Sequence, residues 1–361
     1  MRVLIIGGGL SGLFLATLLL KGGVYVDIIE EHSSIGRPQH CAGVVSENVI
    51  RLLRRVLGTD VRDVIVNRVN ALRLVISGQF NRLFTETRCV YIINREVLEQ
   101  LLASLVLSAG GKITLRCKAR IEKCNGGLRF HVGGIEESTY DYIVFACGAR
   151  VAMLRKGVKN IYPSYQIDIC YSLSENAIEI YVDKTLNPHF FMWTIPLYGN
   201  IARVGTAGKN PRLILKEYLR RKGLYRVKMR DEYIGHVILT GPITPFQHGK
   251  YVFIGDAAGQ NKITTGGGIF YSLSAAIALS KCLLRNDLSK YQDYWLDLFK
   301  RELMFQRLFR RIFLCLNNGL LGFVVRVADK TNYVSTFLRL GDVDHHGTGL
   351  LEAFKHYIKL L

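Results

Sequence analysis

Three glycines near the start of the chain, Gly7, Gly9 and Gly12, stand in a G-x-G-x-x-G spacing. Each has its own reason to lack a side chain. The first permits a tight turn, the second lets the backbone approach a pyrophosphate, and the third lets a helix pack closely on a strand. Ser11 lies inside the same loop. The following helix would turn its N-terminus, roughly half a positive charge, toward the phosphates. The context agrees: a β-rich run at 2–6 precedes the loop, a helical run at 13–21 follows and ends at Gly22-Gly23, and a second strand over 24–29 delivers Glu30. A carboxylate there accepts hydrogen bonds from a ribose 2′-hydroxyl and repels a 2′-phosphate, so FAD or NAD fits better than NADP.

A second glycine loop separates FAD from NAD. Gly255-Asp256-Ala257-Ala258 follows an apolar strand at 251–254 and leads through Gly266, Gly267 and Gly268 into an apolar helix starting at Ile269. Asp256 can bind ribityl hydroxyls, Gly267 and Gly268 let backbone approach a flat ring, and the helix N-terminus at Ile269 can face the flavin pyrimidine edge. FAD is the expected cofactor. No second G-x-G-x-x-G and no redox-spaced cysteine pair is present, so the electron donor is unidentified.

Further elements must hold these loops. Asn94 reads as the N-cap of a helix whose apolar face is Val97, Leu98, Leu101, Leu102, Leu105 and Val106, stopped by Gly110-Gly111. Strand runs are expected at 112–121 and 128–132, joined by a hairpin at Asn125-Gly126-Gly127, and at 142–146. Short alternating runs at 166–172, 177–182, 189–196 and 201–206 read as an antiparallel sheet inserted as a second domain. The fold expected is α/β: a Rossmann-like FAD-binding domain over 1–160 and 241–290, an antiparallel β substrate domain over 161–240, and a C-terminal helical segment over 291–361.

The chain is 361 residues long, 49% hydrophobic and 21% charged, which marks a core-building chain. It carries 48 Lys and Arg against 29 Asp and Glu, a formal charge of +19, and such a field attracts anions. Ten basic residues against Glu217 alone crowd 203–230. They read either as a solvated helix face or as a landing patch for anionic headgroups. No nucleic-acid reader motif accompanies them. The eight cysteines form no C-x-x-C, so zinc ribbons are disfavoured and no metal site is expected. The uncharged run at 3–20 is broken by the glycines, and no spanning helix is expected. The chain reads as cytoplasmic, with peripheral contact to an anionic membrane face.

At the level of whole motifs the chain resembles the p-hydroxybenzoate hydroxylase-type flavoproteins, and within them the geranylgeranyl reductase family. The likeness is carried by GGGLSG (7–12), Glu30, GRPQHCAGVVS (36–46), NRE (94–96), ACG (146–148), HFFMWTIP (189–196) and GDAAGQNKITTGGGI (255–269). It implies that Cys41, Ala42 and Val44 lie against the flavin, that Arg95 and Ala119 contact the cofactor, and that Phe191, Trp193 and Pro196 line a substrate cavity. In that last signature Phe191 stands where the family usually has Tyr, and Ile195 where it has Phe. The activity implied is saturation of C=C bonds in geranylgeranyl chains, on archaeal-type ether phospholipids, by hydride transfer from reduced flavin. Cys41 is then the candidate proton donor. Two other readings stay open: an aromatic-ring monooxygenase on the same fold, and a prenyl-binding escort without turnover.

Overall fold

The computed structural model describes residues 1–124, 127–131, 136–155 and 158–347. The proposed hairpin turn at Asn125-Gly126 and the end of its second strand at Val132 lie outside the described residues. In chain order the first half carries β1 (Arg2–Ile6), α1 (Leu10–Lys21), β2 (Tyr25–Ile29), β3 (Val44–Ser46), α2 (Glu47–Leu57), β4 (Ile65–Val69), β5 (Leu72–Ile76), β6 (Phe80–Phe84), β7 (Val90–Ile93) and α3 (Arg95–Ser108). Then come β8 (Lys112–Thr114), β9 (Arg120–Cys124), β10 (Gly127–His131), β11 (Tyr142–Phe145) and α4 (Ala149–Leu154). The second half carries β12 (Ile161–Cys170), β13 (Ile178–Val182), β14 (Met192–Pro196), β15 (Ile201–Ala207), α5 (Pro211–Arg221), β16 (Met229–Ile238), β17 (Gln247–His248) and β18 (Tyr251–Phe253). Four helices close the described chain: α6 (Ile269–Leu284), α7 (Tyr291–Cys315), α8 (Asn318–Lys330) and α9 (Tyr333–Leu340).

Two compact units result, and neither is continuous in sequence. The first comprises 1–39, 94–161 and 238–300. Its sheet runs β17-β18-β11-β1-β2-β8, parallel throughout except at the β17–β18 edge. Val3, Leu4, Ile5 and Ile28 are fully buried, as expected of central parallel strands covered by helices. Helix α1 packs against α3 and α6, and Leu13, Phe14, Leu15, Ala16 and Leu19 vanish from solvent there. Asn94 caps α3, accepting from the N–H groups of Glu96 and Val97. Leu98, Leu102 and Val106 form its buried face, while Val97 is exposed.

The start of α7 also belongs to this unit. Trp295 is fully buried, donates its indole N–H to the Tyr271 carbonyl (3.2 Å) and packs on Phe299, which itself stacks on Tyr271 with centroids 4.2 Å apart. The boundary expected at residue 291 therefore moves to 300, because these aromatic rings complete the packing of α6.

The second unit comprises 40–93, 162–237 and 301–361. Its main sheet runs β16-β12-β15-β14-β13-β5-β6, and a three-stranded sheet β3-β7-β4 accompanies it. Residues 40–93, expected in the FAD domain, are the chief correction to the domain boundaries. Strand β5 pairs in parallel with β13, from Leu72↔Ile178 to Val182↔Ile76, so the sheet is not purely antiparallel. The strand expected over 112–121 is two strands, β8 and β9, interrupted where Arg116 takes a positive φ and bonds back to the His32 carbonyl. Strand β12 begins earlier than its alternation suggested and β14 later.

The basic stretch 203–230 is not one surface. Arg203 is buried on β15 and paired with Asp168. Glu217 holds Arg220 and Arg221, Asp183 also holds Arg221, and Glu179 holds Lys222. Lys209, Lys216, Arg226, Lys228 and Arg230 are exposed. Among the described residues no helix is long and apolar enough to cross a membrane.

The Arg203–Asp168 pair predicts an asymmetry. Removing one partner of a buried pair strands a charge at a cost of about 3–5 kcal/mol, whereas replacing both by apolar groups is often neutral. Arg203→Met alone should lower the unfolding free energy by roughly that amount. The double variant Arg203→Met/Asp168→Leu should recover most of it, as read by urea denaturation.

Candidate functional site

In the first unit the glycine loop has the geometry its spacing implied. Gly7 has φ +112°, and a Cβ there would lie 2.7 Å from the Ala146 carbonyl oxygen. A Cβ on Gly12 would overlap the Gly7 carbonyl oxygen and press on Ile5 and Ala146. Gly9 differs: a Cβ there would meet nothing within 4 Å. The protein leaves that space open at the start of α1, whose N-cap is Gly9 with no side-chain acceptor and no acidic residue in the first turn.

Glu30 stands where β2 ends. One carboxylate oxygen accepts the Gly8 N–H (2.8 Å), and the other accepts the His32 N–H (3.0 Å) and contacts its ring. This fixes the carboxylate beside the loop with lone pairs to spare for a ribose hydroxyl. The Cys117 N–H donates to the Glu30 carbonyl (2.8 Å), which carries the segment containing buried Ala119 past the same strand end.

A carboxylate that spacing did not reveal, Glu99, completes this end. It is 6% exposed, accepts the Leu10 N–H at the start of α1 (3.0 Å) and is ion-paired with Arg95. An unpaired carboxylate beside a helix N-terminus would compete with a phosphate for it. Arg95 offsets that charge, and it also acts electrostatically on Asp256. Only the four-residue spacing of Arg95 and Glu99 on one helix face could have hinted at this.

The second loop meets the first directly. A Cβ on Gly255 would lie 2.5 Å from the Ser11 Oγ, and one on Gly268 would lie 3.2 Å from the Asp256 Oδ1. Burial raises the Asp256 carboxyl above its ordinary range, partly countered by the Asn261 amide (3.3 Å) and by Arg95. The Asn261 Oδ1 is buried with no hydrogen-bond partner among the described residues. Gly255 itself is held through its N–H to Gln260 (2.7 Å), which in turn is held by the buried Tyr291 hydroxyl. Helix α6 starts at Ile269 with no side-chain cap. Gly7, Gly9, Ser11, Gly12, Arg95, Asp256, Gly268 and Ile269 thus belong to one constellation. Its open cradle at Gly9, the uncapped start of α6 and the unsatisfied Asn261 oxygen fit a dinucleotide with a polyhydroxyl linker.

Cys41, Ala42, Val44, Phe191, Trp193 and Pro196 all lie in the second unit. There Ala42, Val44 and Trp193 pack on one apolar cluster formed by Val69, Val90, Ile92, Ile178, Ile195, Leu197 and Ile201. The Cys41 carbonyl accepts from Arg203 Nη1 (3.2 Å), and the Cys41 Sγ accepts the Gly43 N–H at 3.4 Å. His40 bonds through Nδ1 to the Ile234 carbonyl on β16. Arg203 also makes two bonds to Asp168 (2.7 and 2.8 Å) and lies over the Tyr233 ring, and the Tyr233 hydroxyl donates to Asp168 (3.0 Å). Phe191 stacks on Phe190 and meets Trp193 edge-on. Pro196 pairs with Ala202 and is buried.

Residues 1–67 match the sequence model of the family described as FAD binding domain. The fold and the site define an FAD-dependent oxidoreductase. Over 98% of its length the chain is similar to an uncharacterised protein of Methanocaldococcus jannaschii, at 26% identity and covering 94% of that protein. It is also similar to the digeranylgeranylglycerophospholipid reductase of Methanothrix thermoacetophila, at 23% identity over 76% of this chain and 75% of the relative. Among solved structures, a geranylgeranyl bacteriochlorophyll reductase-like protein from Thermoplasma acidophilum superposes with a TM-score of 0.78, at 21% identity, over 100% of this chain and 98% of that one.

Two predictions follow from the first unit. Gly9→Ala should leave the flavin-free protein as stable as the parent, within about 0.5 kcal/mol, yet weaken FAD binding sharply. Gly12→Ala should lower the thermal midpoint itself; equal stability loss in both variants would contradict this account. Asp256 carries the opposite sign. Its folded-state carboxyl is raised above the unfolded value of 3.8, so folding is penalised as pH climbs through that window and stays penalised at neutrality. Asp256→Asn should therefore raise the flavin-free midpoint at pH 7 while loosening FAD, as measured by calorimetry and flavin titration.

Proposed function

We propose that this oxidoreductase saturates C=C bonds in geranylgeranyl chains of lipids. The carrying observation is the second-unit cluster. Ala42 and Val44, which the motif resemblance assigns to the flavin together with Cys41, pack with Trp193 on one apolar cluster, and the Cys41 carbonyl is held by Arg203. The names of the similar reductases point the same way.

Each group has a role in this reading. The glycine loop, Glu30, Arg95 and Ala119 bind the adenosine and phosphate half of FAD. Asp256, Gly267, Gly268 and the start of α6 hold its ribityl and pyrimidine parts. When bound and reduced, FAD supplies the hydride. Phe191, Trp193 and Pro196 orient an apolar chain and exclude water, and on an unactivated alkene positioning supplies much of the rate. Cys41 holds a proton on Sγ for the second alkene carbon.

A lipid substrate also calls for contact with a membrane surface. Helix α8 exposes Leu320, Phe323, Val324 and Val327, each about half accessible, at the i, i+3, i+4, i+7 spacing of one helix face. With the net charge of +19, this face supports peripheral binding to anionic bilayers.

The test is anaerobic. After reduction with dithionite, adding a geranylgeranylated lipid should reoxidise the flavin and give products heavier by one H2 per bond. No reoxidation by any prenyl lipid would overturn the reading. Rapid NAD(P)H oxidation with oxygen and an aromatic compound would favour a monooxygenase instead. Cys41→Ala should retain FAD yet slow reoxidation by about 10²-fold. Phe323→Ser should reduce co-sedimentation with anionic vesicles.

A further inference from the structure

One row of the main sheet in the second unit contains a polar contradiction. Gln166 on β12 pairs with Gly205 on β15, which pairs with Trp193 on β14, which pairs with Ile180 on β13. Residues in direct register share a face, so these four stand side by side. Gly205 has no side chain to separate its neighbours: a Cβ there would lie 2.5 Å from the Trp193 ring and 2.6 Å from the Gln166 Cβ. Gln166 is 3% exposed. Both its Nε2 and its Oε1 are buried without a hydrogen-bond partner among the described residues, as is the Trp193 Nε1. Leaving an amide donor, an amide acceptor and an indole donor unsatisfied together incurs the desolvation cost of all three. Two of the three atoms sit on one side chain that Leu could replace in shape.

We infer that Gln166 and Trp193 form a receptor for a neutral hydroxyl on the prenyl substrate. A hydroxyl accepts from the indole N–H or the amide NH2 and donates to the amide oxygen, which satisfies both kinds of atom at once. An anion could not use the amide oxygen. Arg203, two residues along β15 from Gly205, is already engaged by both oxygens of Asp168. The hydroxyl belongs to a prenyl alcohol or to the free glycerol position of a prenyl ether, and the apolar cluster beside Trp193 takes the chain. This rests on the prenyl reading above and narrows it.

The experiment is equilibrium dialysis of oxidised, FAD-loaded protein against four probes: geranylgeraniol, a geranylgeranylglycerol ether, the hydrocarbon of equal length, and geranylgeranyl monophosphate. At least one hydroxyl probe should bind about tenfold more tightly than the hydrocarbon, and whichever binds better names the source. Gln166→Leu should abolish that preference without weakening hydrocarbon binding, and should raise the thermal midpoint of the ligand-free protein. Trp193→Phe should reduce the preference. If hydrocarbon and alcohols bind alike, the hydroxyl receptor is wrong while the prenyl reading stands. If the monophosphate binds tightest, the neutral-ligand claim is wrong. If no probe binds, the prenyl reading fails and this inference with it.

Discussion

The Arg203 guanidinium is the fixed point of the second unit. Its five N–H donors suit a planar, multidentate role. Two bonds hold Asp168 across the β12–β15 ladder, one holds the Cys41 carbonyl, and the plane lies over Tyr233, whose hydroxyl returns to the same carboxylate. Strand register, the course of the Cys41 segment and the placement of β16 are thus set by one side chain. Its burial is tolerable because every charge in the cluster has a partner. A lysine could not substitute, since one ammonium cannot offer a planar fork and a third donor in that geometry.

The first unit solves the converse problem. Its loops must present unsatisfied N–H groups to a ligand while the structure around them is complete. Tight backbone contacts at Gly7 and Gly12 and the Glu30 and Glu99 carboxylates build a rigid rim around an opening at Gly9. The Glu99–Arg95 pair keeps local charge near neutral, so the helix N-terminus retains its attraction for phosphate.

The dinucleotide loop could be read from sequence because its determinants are local: a strand, a turn that needs glycine and a helix, all within thirty residues. The Asp256 loop was readable for the same reason. The domain boundaries were not, because the β5–β13 pairing joins segments about a hundred residues apart and no local pattern announces a parallel partner. The charge run at 203–230 misled in a similar way. Alternation along β15 turns Arg203 inward, and only its register with Asp168 shows that the charge is spent inside the sheet. Gln166 and Glu99 escaped notice because an isolated polar residue has no signature until its burial and neighbours are known.

The glycine loop also has a practical meaning for chemistry on this scaffold. Its shape is set by the Gly7 N–H bonded to the Ile29 carbonyl, by the Ala146 backbone against Gly7 and by the Glu30 carboxylate, all of them protein atoms. Such a loop recognises phosphate and ribose and not the ring, so synthetic flavins of altered redox potential should fit it as interchangeable electrodes.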